Sequence, residues 1–327
     1  MINFQFVRTS VVKTALSLVG KDSKTTFIAG GTNLIDLMKR GVTAPEKLID
    51  INYLPLKKIE LIGNVLHVGA LVANSTLAEN PIVKDKFPLL SKALEAGASA
   101  QLRNVATVGG NMMQRTRCGY FYDTTMPCNK RVPGSGCGAI GGYNRMHAIF
   151  GTSDSCIAVH PSDMCVALAA LDAKVVIAST KGERKINFLD FHRLPGTTPE
   201  KDNNLQKGEL IVRLEITVNN LNKNFHYLKV RDRSSYAFAL VSVAAALEIQ
   251  NNIISTARLA MGGVAHKPWR LVEAENFLKG KTANASNFED AARIAMFGAK
   301  GYGENDFKLK MAPNSIIEAL TQAKAKS

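Results

Sequence analysis

The sequence predicts an α+β protein with two domains that meet near residue 220. The chain has 327 residues, whereas a single hydrophobic core stops growing at roughly 250 residues, so we expect more than one core. Strand and helix patterns alternate over the first fifty residues, and a polar stretch at 219–224 interrupts the apolar pattern. We therefore place one domain at residues 1–219 and a second at 220–327.

The first domain begins with a small α/β unit. Strand patterns at 25–29 and 48–51 flank a helix pattern at 34–38. Gly63-Asn64 is a strong turn signal between two alternating apolar segments, which predicts a hairpin. A helix around residues 89–94 then leads to a second glycine-rich segment.

Later elements carry clear start and turn signals. Ser162 is a candidate N-cap for a helix over 164–171, and residues 174–178 predict a strand. Beyond residue 220, apolar strands join at Asn251-Asn252, and helices follow. These are strands at 239–250 and 253–261 and helices at 270–278, 288–297 and 315–325.

Composition excludes several functional classes. No apolar run approaches the ~20 residues of a membrane span, and the N-terminus lacks a secretion signal. We expect no membrane contact and a cytoplasmic chain, although binding to a signal-bearing partner could carry it to the periplasm. Lys and Arg number 41 against 27 Asp and Glu, leaving +14, but they are scattered without a nucleic-acid motif. We expect no nucleic-acid partner.

Two diglycine segments are candidate anion sites. Residues 29–33 (AGGTN) and 108–111 (VGGN) each follow an apolar stretch. Glycine permits a positive φ and lets backbone N–H groups approach an anion. A helix starting at Asn33 would add the positive end of its dipole. One such segment alone is usually a tight turn, whereas two could hold a pyrophosphate between them. Rossmann and P-loop motifs are absent.

Four of the five cysteines lie in an aperiodic loop at 115–156. Nine, eight and eighteen residues separate Cys118, Cys128, Cys137 and Cys156, which matches neither a zinc knuckle nor a standard ferredoxin run. Clustered thiols without a secretion signal favour a metal site over disulfides. Five cations, Arg115, Arg117, Lys130, Arg131 and Arg145, lie around them in sequence, with Tyr120, Phe121 and Tyr122 between. A four-iron cluster, a structural zinc site and free thiols all remain open, and Cys165 fits a helix core.

The paired segments FIAGGTNL at 27–34 and QLRNVATVGGN at 101–111 resemble the flavin-binding signature of the xanthine dehydrogenase and carbon monoxide dehydrogenase medium subunits. Segments HPSD at 160–163, KVRDR at 229–233 and GGVAHKPWR at 262–270 agree with it. The resemblance implies a vanillyl-alcohol-oxidase-type FAD domain of two subdomains, about 1–56 and 57–219. It also implies a C-terminal domain of the CO dehydrogenase flavoprotein type.

The resemblance also implies which residues bind FAD. Segments 29–33 and 107–111 would hold the FAD pyrophosphate and the groups of the cofactor next to it. Asp163 would lie near the ribityl chain or flavin, and Lys229 would lie near the isoalloxazine. A strand lysine facing solvent is the alternative for Lys229. The implied FAD residues are Phe27, Ile28, Ala29, Gly30, Gly31, Thr32, Asn33, Leu34, Thr107, Gly109, Gly110, Asn111, Asp163 and Lys229.

The cysteine loop resembles the insertion in FAD subunits of periplasmic-type bacterial aldehyde oxidoreductases, which carries a [4Fe-4S] cluster. The related 4-hydroxybenzoyl-CoA reductase subunit has an inserted cluster too. This implies an electron-transfer subunit beside a large molybdopterin subunit and a small [2Fe-2S] subunit. No residue here is then expected to act as an acid, base or nucleophile, and His147 and His160 would be structural or lining residues. The rivals are a stand-alone flavin oxidase of the same fold and a zinc-stabilised interaction module.

Overall fold

A computed structural model of the chain describes residues 1–20, 22 and 24–325. The last two residues of the predicted second domain, 326–327, lie outside this range. Three β-sheets and the helices between them build the α+β fold that the sequence predicts. Across the described part of the chain, every helix is too short or too polar to cross a lipid bilayer.

The first sheet is the predicted small α/β unit. Its three parallel strands have the order β1-β3-β2, and the helices α1 and α2 connect them. In chain order the elements are β1 (Gln5–Arg8), α1 (Val12–Val19), β2 (Thr25–Ile28), α2 (Leu34–Lys39) and β3 (Lys47–Asp50).

The second sheet has five antiparallel strands in the order β4-β5-β8-β6-β7. Its strands are β4 (Ile59–Ile62), β5 (Val65–Gly69), β6 (Lys174–Ser179), β7 (Gly182–Asn187) and β8 (Leu210–Thr217). The predicted hairpin around Gly63 is the pair β4 and β5. Seven helices come between β5 and β6: α3 (Asn74–Glu79), α4 (Pro81–Lys86), α5 (Pro88–Ala96), α6 (Ala100–Val105), α7 (Val108–Met112), α8 (Gly119–Tyr122) and α9 (Asp163–Ala170).

The third sheet lies in the C-terminal part and is antiparallel, in the order β12-β11-β10-β9. Three helices follow its last strand. The elements are β9 (Asn224–Val230), β10 (Val241–Gln250), β11 (Ile253–Gly262), β12 (Trp269–Arg270), α10 (Val272–Leu278), α11 (Ala285–Ala295) and α12 (Lys308–Lys324).

Two sheets are buried on both faces, which explains the nearly continuous apolar sequence of their central strands. In β6, Val175 belongs to the core shared with α5 and α9, whereas Val176 belongs to the core shared with the first sheet. In β10, Ala244 faces that same helix layer, whereas Val243 packs against α10–α12. The helix layer of α5 and α9 therefore lies between the second and third sheets.

The second diglycine segment differs from the predicted turn. Gly109 and Gly110 lie inside the helix α7 and do not have a positive φ. Thr107 caps this helix, since its side chain accepts a hydrogen bond from the Gly110 N–H at 3.2 Å. A threonine N-cap satisfies an N–H group that the first helical turn leaves unpaired, so the helix begins here despite its glycines.

Candidate functional site

A cavity of about 1020 Å³ opens between the first sheet, the helix layer and the third sheet. Both diglycine segments, the start of α9 and the end of β9 contribute to its wall. Every residue that the resemblance assigned to FAD lines it: Phe27, Ile28, Ala29, Gly30, Gly31, Thr32, Asn33, Leu34, Thr107, Gly109, Gly110, Asn111, Asp163 and Lys229. The fold thus brings together residues as far apart in sequence as Phe27 and Lys229.

The first diglycine segment needs glycine for two different reasons. Gly31 has a φ of +70°, a conformation that L side chains rarely adopt. Gly30 lies against the residue that ends α6, and a Cβ there would collide with the Val105 carbonyl oxygen. The chain that leaves α6 therefore packs directly against Gly30, where a residue with a Cβ would not fit.

Hydrogen bonds tie α7 to the helix layer. The Ser162 hydroxyl lies 2.5 Å from the Asn111 Oδ1 and also accepts from the Cys165 N–H at 3.1 Å, as the predicted N-cap of α9. A Cβ on Gly109 would lie 3.1 Å from the Ala70 Cβ, which is tighter than ordinary packing. The small glycine lets α7 lie against the end of β5.

A buried ion pair joins α9 to β9 at the cavity. The Lys229 Nζ lies 2.8 Å from the Asp163 Oδ2, and their side chains are 5% and 8% exposed. Lys229 also donates to the Ala96 carbonyl, and the Tyr227 hydroxyl donates to the Asp163 Oδ1 at 2.8 Å. Burial, reinforced by the Asp163 carboxylate, raises the pKa of Tyr227 well above its usual value. The alternative of a solvent-facing Lys229 is therefore wrong.

Sequence reasoning missed part of the cavity wall. The segment after β9 contributes Arg233, Tyr236 and Phe238, and Tyr236 has a φ of +50°. Arg117, which we grouped with the thiols, also lines this cavity, with its guanidinium 5.2 Å from the Phe238 ring centroid. Segment 236–238 has no periodic pattern, so only its proximity to KVRDR at 229–233 could have indicated it.

The four loop cysteines line one small, separate cavity of about 10 Å³, together with Tyr120, Phe121, Lys130 and His147. Cys128 and Cys137 face each other across a β-bridge. Burial raises the pKa of the Cys118 thiol to about 12 and that of Cys156 to about 11. The His147 Nε2 lies 3.1 Å from the Cys118 Sγ. The loop thus brings its four thiols together around one small cavity.

The cations of the loop are distributed differently from our expectation. Lys130 lines the thiol cavity, whereas the four loop arginines do not line it and their guanidinium groups contact other residues. Arg115 pairs with Asp202 at 2.6 Å and Arg145 with Asp232 at 2.6 Å. Arg131 donates to the Tyr120 and Phe121 carbonyls, both at 2.8 Å, and so holds the short helix α8 in place.

One compact group of metal-ligand atoms lies outside the loop. Within the described residues, three such atoms come within 4.8 Å of one another at His160, Cys165 and His192, and no three loop thiols do. Burial lowers the pKa of His192 to about 4 and raises that of the Cys165 thiol to about 12. The group is therefore neutral, which agrees with the core position predicted for Cys165.

Two family models together match most of the chain. Residues 2–217 match the FAD binding domain in molybdopterin dehydrogenase, and residues 226–323 match the CO dehydrogenase flavoprotein C-terminal domain. The carbon monoxide dehydrogenase structure from Hydrogenophaga pseudoflava has a similar chain, with a TM-score of 0.78 and 25% identity, covering 100% of this chain and 99% of that one.

Individual relatives agree with these models. The aldehyde oxidoreductase FAD-binding subunit PaoB of Escherichia coli (strain K12) is 48% identical over 304 residues, covering 92% of each protein. The glyceraldehyde dehydrogenase medium chain of Sulfolobus acidocaldarius is 31% identical over 290 residues, covering 88% of this chain and 85% of that protein. With a family model over residues 2–217 and relatives at this identity, the chain belongs to the FAD-binding medium subunits of the molybdenum hydroxylase family.

Proposed function

We propose that this chain is the electron-transfer subunit of a molybdenum-containing aldehyde oxidoreductase. It would assemble as a heterotrimer with a large molybdopterin subunit, which oxidises the aldehyde, and a small [2Fe-2S] subunit, which delivers the electrons. The observation that carries the proposal is the cavity of about 1020 Å³ whose wall contains both diglycine segments. Support for the aldehyde comes from the names of two relatives, an aldehyde oxidoreductase subunit and a glyceraldehyde dehydrogenase chain.

FAD fits the donor set of this cavity. Backbone N–H groups of the segment 29–33 would hold its pyrophosphate, since glycine leaves them accessible to an anion. The N–H groups of 108–111 already have acceptors within the fold, so the segment 107–111 would line the cofactor without donating them. Asp163 would lie near the ribityl chain or flavin, and Lys229 near the isoalloxazine. Bound flavin accepts electrons singly and releases them in pairs. The domain division at 219 and 220 belongs to the same proposal, with the flavin domain before it.

For the loop we propose a [4Fe-4S] cluster bound by Cys118, Cys128, Cys137 and Cys156. These thiols share one cavity, whose walls include Tyr120 and Phe121. A tetrahedral zinc ion with Zn–S bonds of about 2.3 Å would need sulfurs about 3.8 Å apart. No three of these described thiols come within 4.8 Å of one another, so a zinc ion would require them to move closer together.

Binding a cluster would change the loop in two ways. The cavity has room for about one water molecule, so the thiols would have to move apart around iron and sulfide. Burial raises the pKa values of Cys118 and Cys156, so binding of the metal would have to displace their protons. Tyr120 and Phe121, in the cavity wall, would keep water away from the site.

The experiment is a cofactor analysis of the full chain purified without oxygen. We expect one FAD and about four irons per chain, as in a cubane cluster. Cys156→Ser should lose or destabilise the iron, because oxygen is a poorer ligand for this soft site. Cys165→Ser is the matched control and should keep its iron, since that thiol lies in the core of α9.

Three results would contradict these assignments. Stoichiometric zinc without iron would refute the cluster. Iron loss in Cys165→Ser with retention in Cys156→Ser would show that the fourth ligand is wrong. A folded but colourless chain, even after incubation with FAD, would refute the flavin site.

A further inference from the structure

Lys130 is a buried lysine in the wall of the thiol cavity, with a side chain 1% exposed. Its ammonium group has three partners: the Asp202 Oδ1 at 2.5 Å, the Pro199 carbonyl at 2.8 Å and the His266 Nε2 at 2.7 Å. An ammonium carries three N–H groups, so each of them has an acceptor. The positive charge is therefore held in one place, on a residue that lines the thiol cavity.

His266 is arranged as an acceptor for this lysine. Its Nδ1 lies 2.8 Å from the Arg193 carbonyl and therefore donates to it. The Nε2 of the neutral ring then has a free lone pair, which faces the ammonium. Burial, with Lys130 as the next cause, lowers the pKa of His266 to about 4, which keeps the ring neutral.

Asp202 connects this lysine with a second cation. Its Oδ2 lies 2.6 Å from the Arg115 Nε, and Arg115 lines the larger cavity, where its backbone N–H also donates to the Asn33 side chain at 2.9 Å. Although burial opposes it, Lys130 and Arg115 hold the pKa of the Asp202 carboxyl well below its usual range. Two cations against one carboxylate leave an excess of positive charge between the two cavities.

We propose that Lys130 is the residue whose buried charge raises the reduction potential of the loop cluster, and that Asp202 sets the size of this effect by partly neutralising it. This inference rests on the proposed cluster. Reduction adds one negative charge to a group bound by four thiolates. A cation held nearby at low dielectric stabilises that charge, whereas an exposed one is screened.

The other loop cations do not place a charge in the thiol cavity as Lys130 does. Arg145 pairs with a carboxylate that is 57% exposed, and Arg117 is engaged with Tyr122 and Phe238 at the larger cavity. Lys201 provides a matched control, because it is adjacent to Asp202 in sequence and exposed. Removing its charge changes the net charge equally but in a solvated position.

The test is a redox titration of the full chain, purified without oxygen and followed by the electron paramagnetic resonance of the reduced cluster. We expect Lys130→Gln to lower the midpoint potential by at least 59 mV, a tenfold shift in a one-electron equilibrium. Asp202→Asn should raise it, and Lys201→Gln should leave it within experimental error of the unsubstituted chain. Iron and flavin content are measured in every sample.

A purely structural role would give different results. If Lys130→Gln and Asp202→Asn both shifted the potential in the same direction, or neither shifted it with iron retained, the charge role would be refuted. Loss of iron in both variants would identify the network as a scaffold only. Absence of iron from the unsubstituted chain would instead refute the proposed cluster.

Discussion

Glycine at position 30 is required by its neighbour across the fold. A Cβ at this position would collide with the Val105 carbonyl oxygen, which cannot move without displacing the end of α6. Gly41 provides a contrast, because its φ of +73° makes substitution strained, but no atom lies within 4 Å of its Cβ position. Substitutions at the two glycines therefore distinguish the effect of a steric clash at the cavity from the effect of backbone strain alone.

We predict that Gly30→Ala loses at least tenfold in FAD affinity, because the clash moves the segment that lines the cavity. Gly41→Ala should lose about 1–2 kcal/mol of stability through left-handed strain and keep its flavin. Flavin fluorescence titration and urea unfolding measure the two effects. Equal flavin affinity in both variants would mean that the contact at Val105 does not shape the site.

The buried histidines make stability depend on pH. Burial lowers the pKa of His192 to about 4, against about 6.5 in the unfolded chain. Between these values the unfolded state binds the proton more readily than the folded state, so stability is complete above about pH 6.5 and falls as the pH approaches 4. The His192 Nε2 donates to the Met112 carbonyl at 2.9 Å, which fits the neutral ring.

We predict that His192 alone contributes about 2 kcal/mol to the loss of stability between pH 7 and pH 5. His192→Asn will be less stable at pH 7, but its loss on acidification should be smaller by that amount. Urea unfolding at both pH values gives the comparison. An unchanged pH dependence in the variant would show that folding does not lower the pKa of His192.

At the scale of elements, a buried ion pair helps to join the helix layer to the third sheet. Asp163 begins α9, Lys229 lies near the end of β9, and both side chains are buried. Removing one partner of a buried pair leaves a charge without compensation, which typically costs about 3–5 kcal/mol. The Tyr227 hydroxyl on Asp163 offsets part of this loss in a Lys229 variant.

We predict that, in flavin-free protein, Lys229→Met destabilises the chain by about 3 kcal/mol. In the double variant Lys229→Met with Asp163→Asn, the loss in free energy of unfolding should be smaller than the sum of the two single losses, by at least about 1 kcal/mol. The exposed pair Lys24–Glu46 is the control, and Lys24→Met should leave the free energy of unfolding nearly unchanged. Strict additivity in urea unfolding would show that the buried pair does not couple the elements.

Local signals located the elements that carry a cap, a turn or a clear apolar pattern, whereas elements such as β1, β7 and β8 were not predicted. Ser162 indicated the start of α9, and Gly63 indicated the hairpin of β4 and β5, because a cap and a turn depend on adjacent residues. Two of the predicted segments differ most. The glycines of α7 suggested a turn, and the helix α12 begins at Lys308 and passes through Pro313, where we placed its start near residue 315. Buried side chains such as Ile316 and Leu320 stabilise that helix by packing, which outweighs the hydrogen bond that proline lacks.

At the scale of the whole molecule, the proposed division of labour between subunits can be tested directly. We predict that the isolated chain oxidises no aldehyde, because that step belongs to the molybdopterin subunit. Once chemically reduced, the same chain should pass electrons to an artificial acceptor through its flavin. Gly30→Ala is the control, since its weaker FAD binding should lower acceptor reduction in proportion to the flavin lost. Sustained aldehyde turnover by the molybdenum-free chain would instead favour a stand-alone flavin oxidase.

The sequence by itself indicated the residues that we propose for the cofactors and about half of the regular segments. The diglycine segments, the four loop cysteines and the cap at Ser162 are local signals, readable because each depends on neighbours within a few positions. The residues implied for FAD line one cavity, although only the fold brings their separate segments together.

Only the tertiary structure decided how distant side chains pair. Lys130 meets Asp202 across 72 positions and Lys229 meets Asp163 across 66, and nothing in local spacing indicates either contact. The requirement for glycine at position 30 is also a long-range effect, because it arises from a carbonyl at the end of α6. Long-range contacts depend on how sheets and helices stack, and the burial of a charge becomes visible only when its partner is in place.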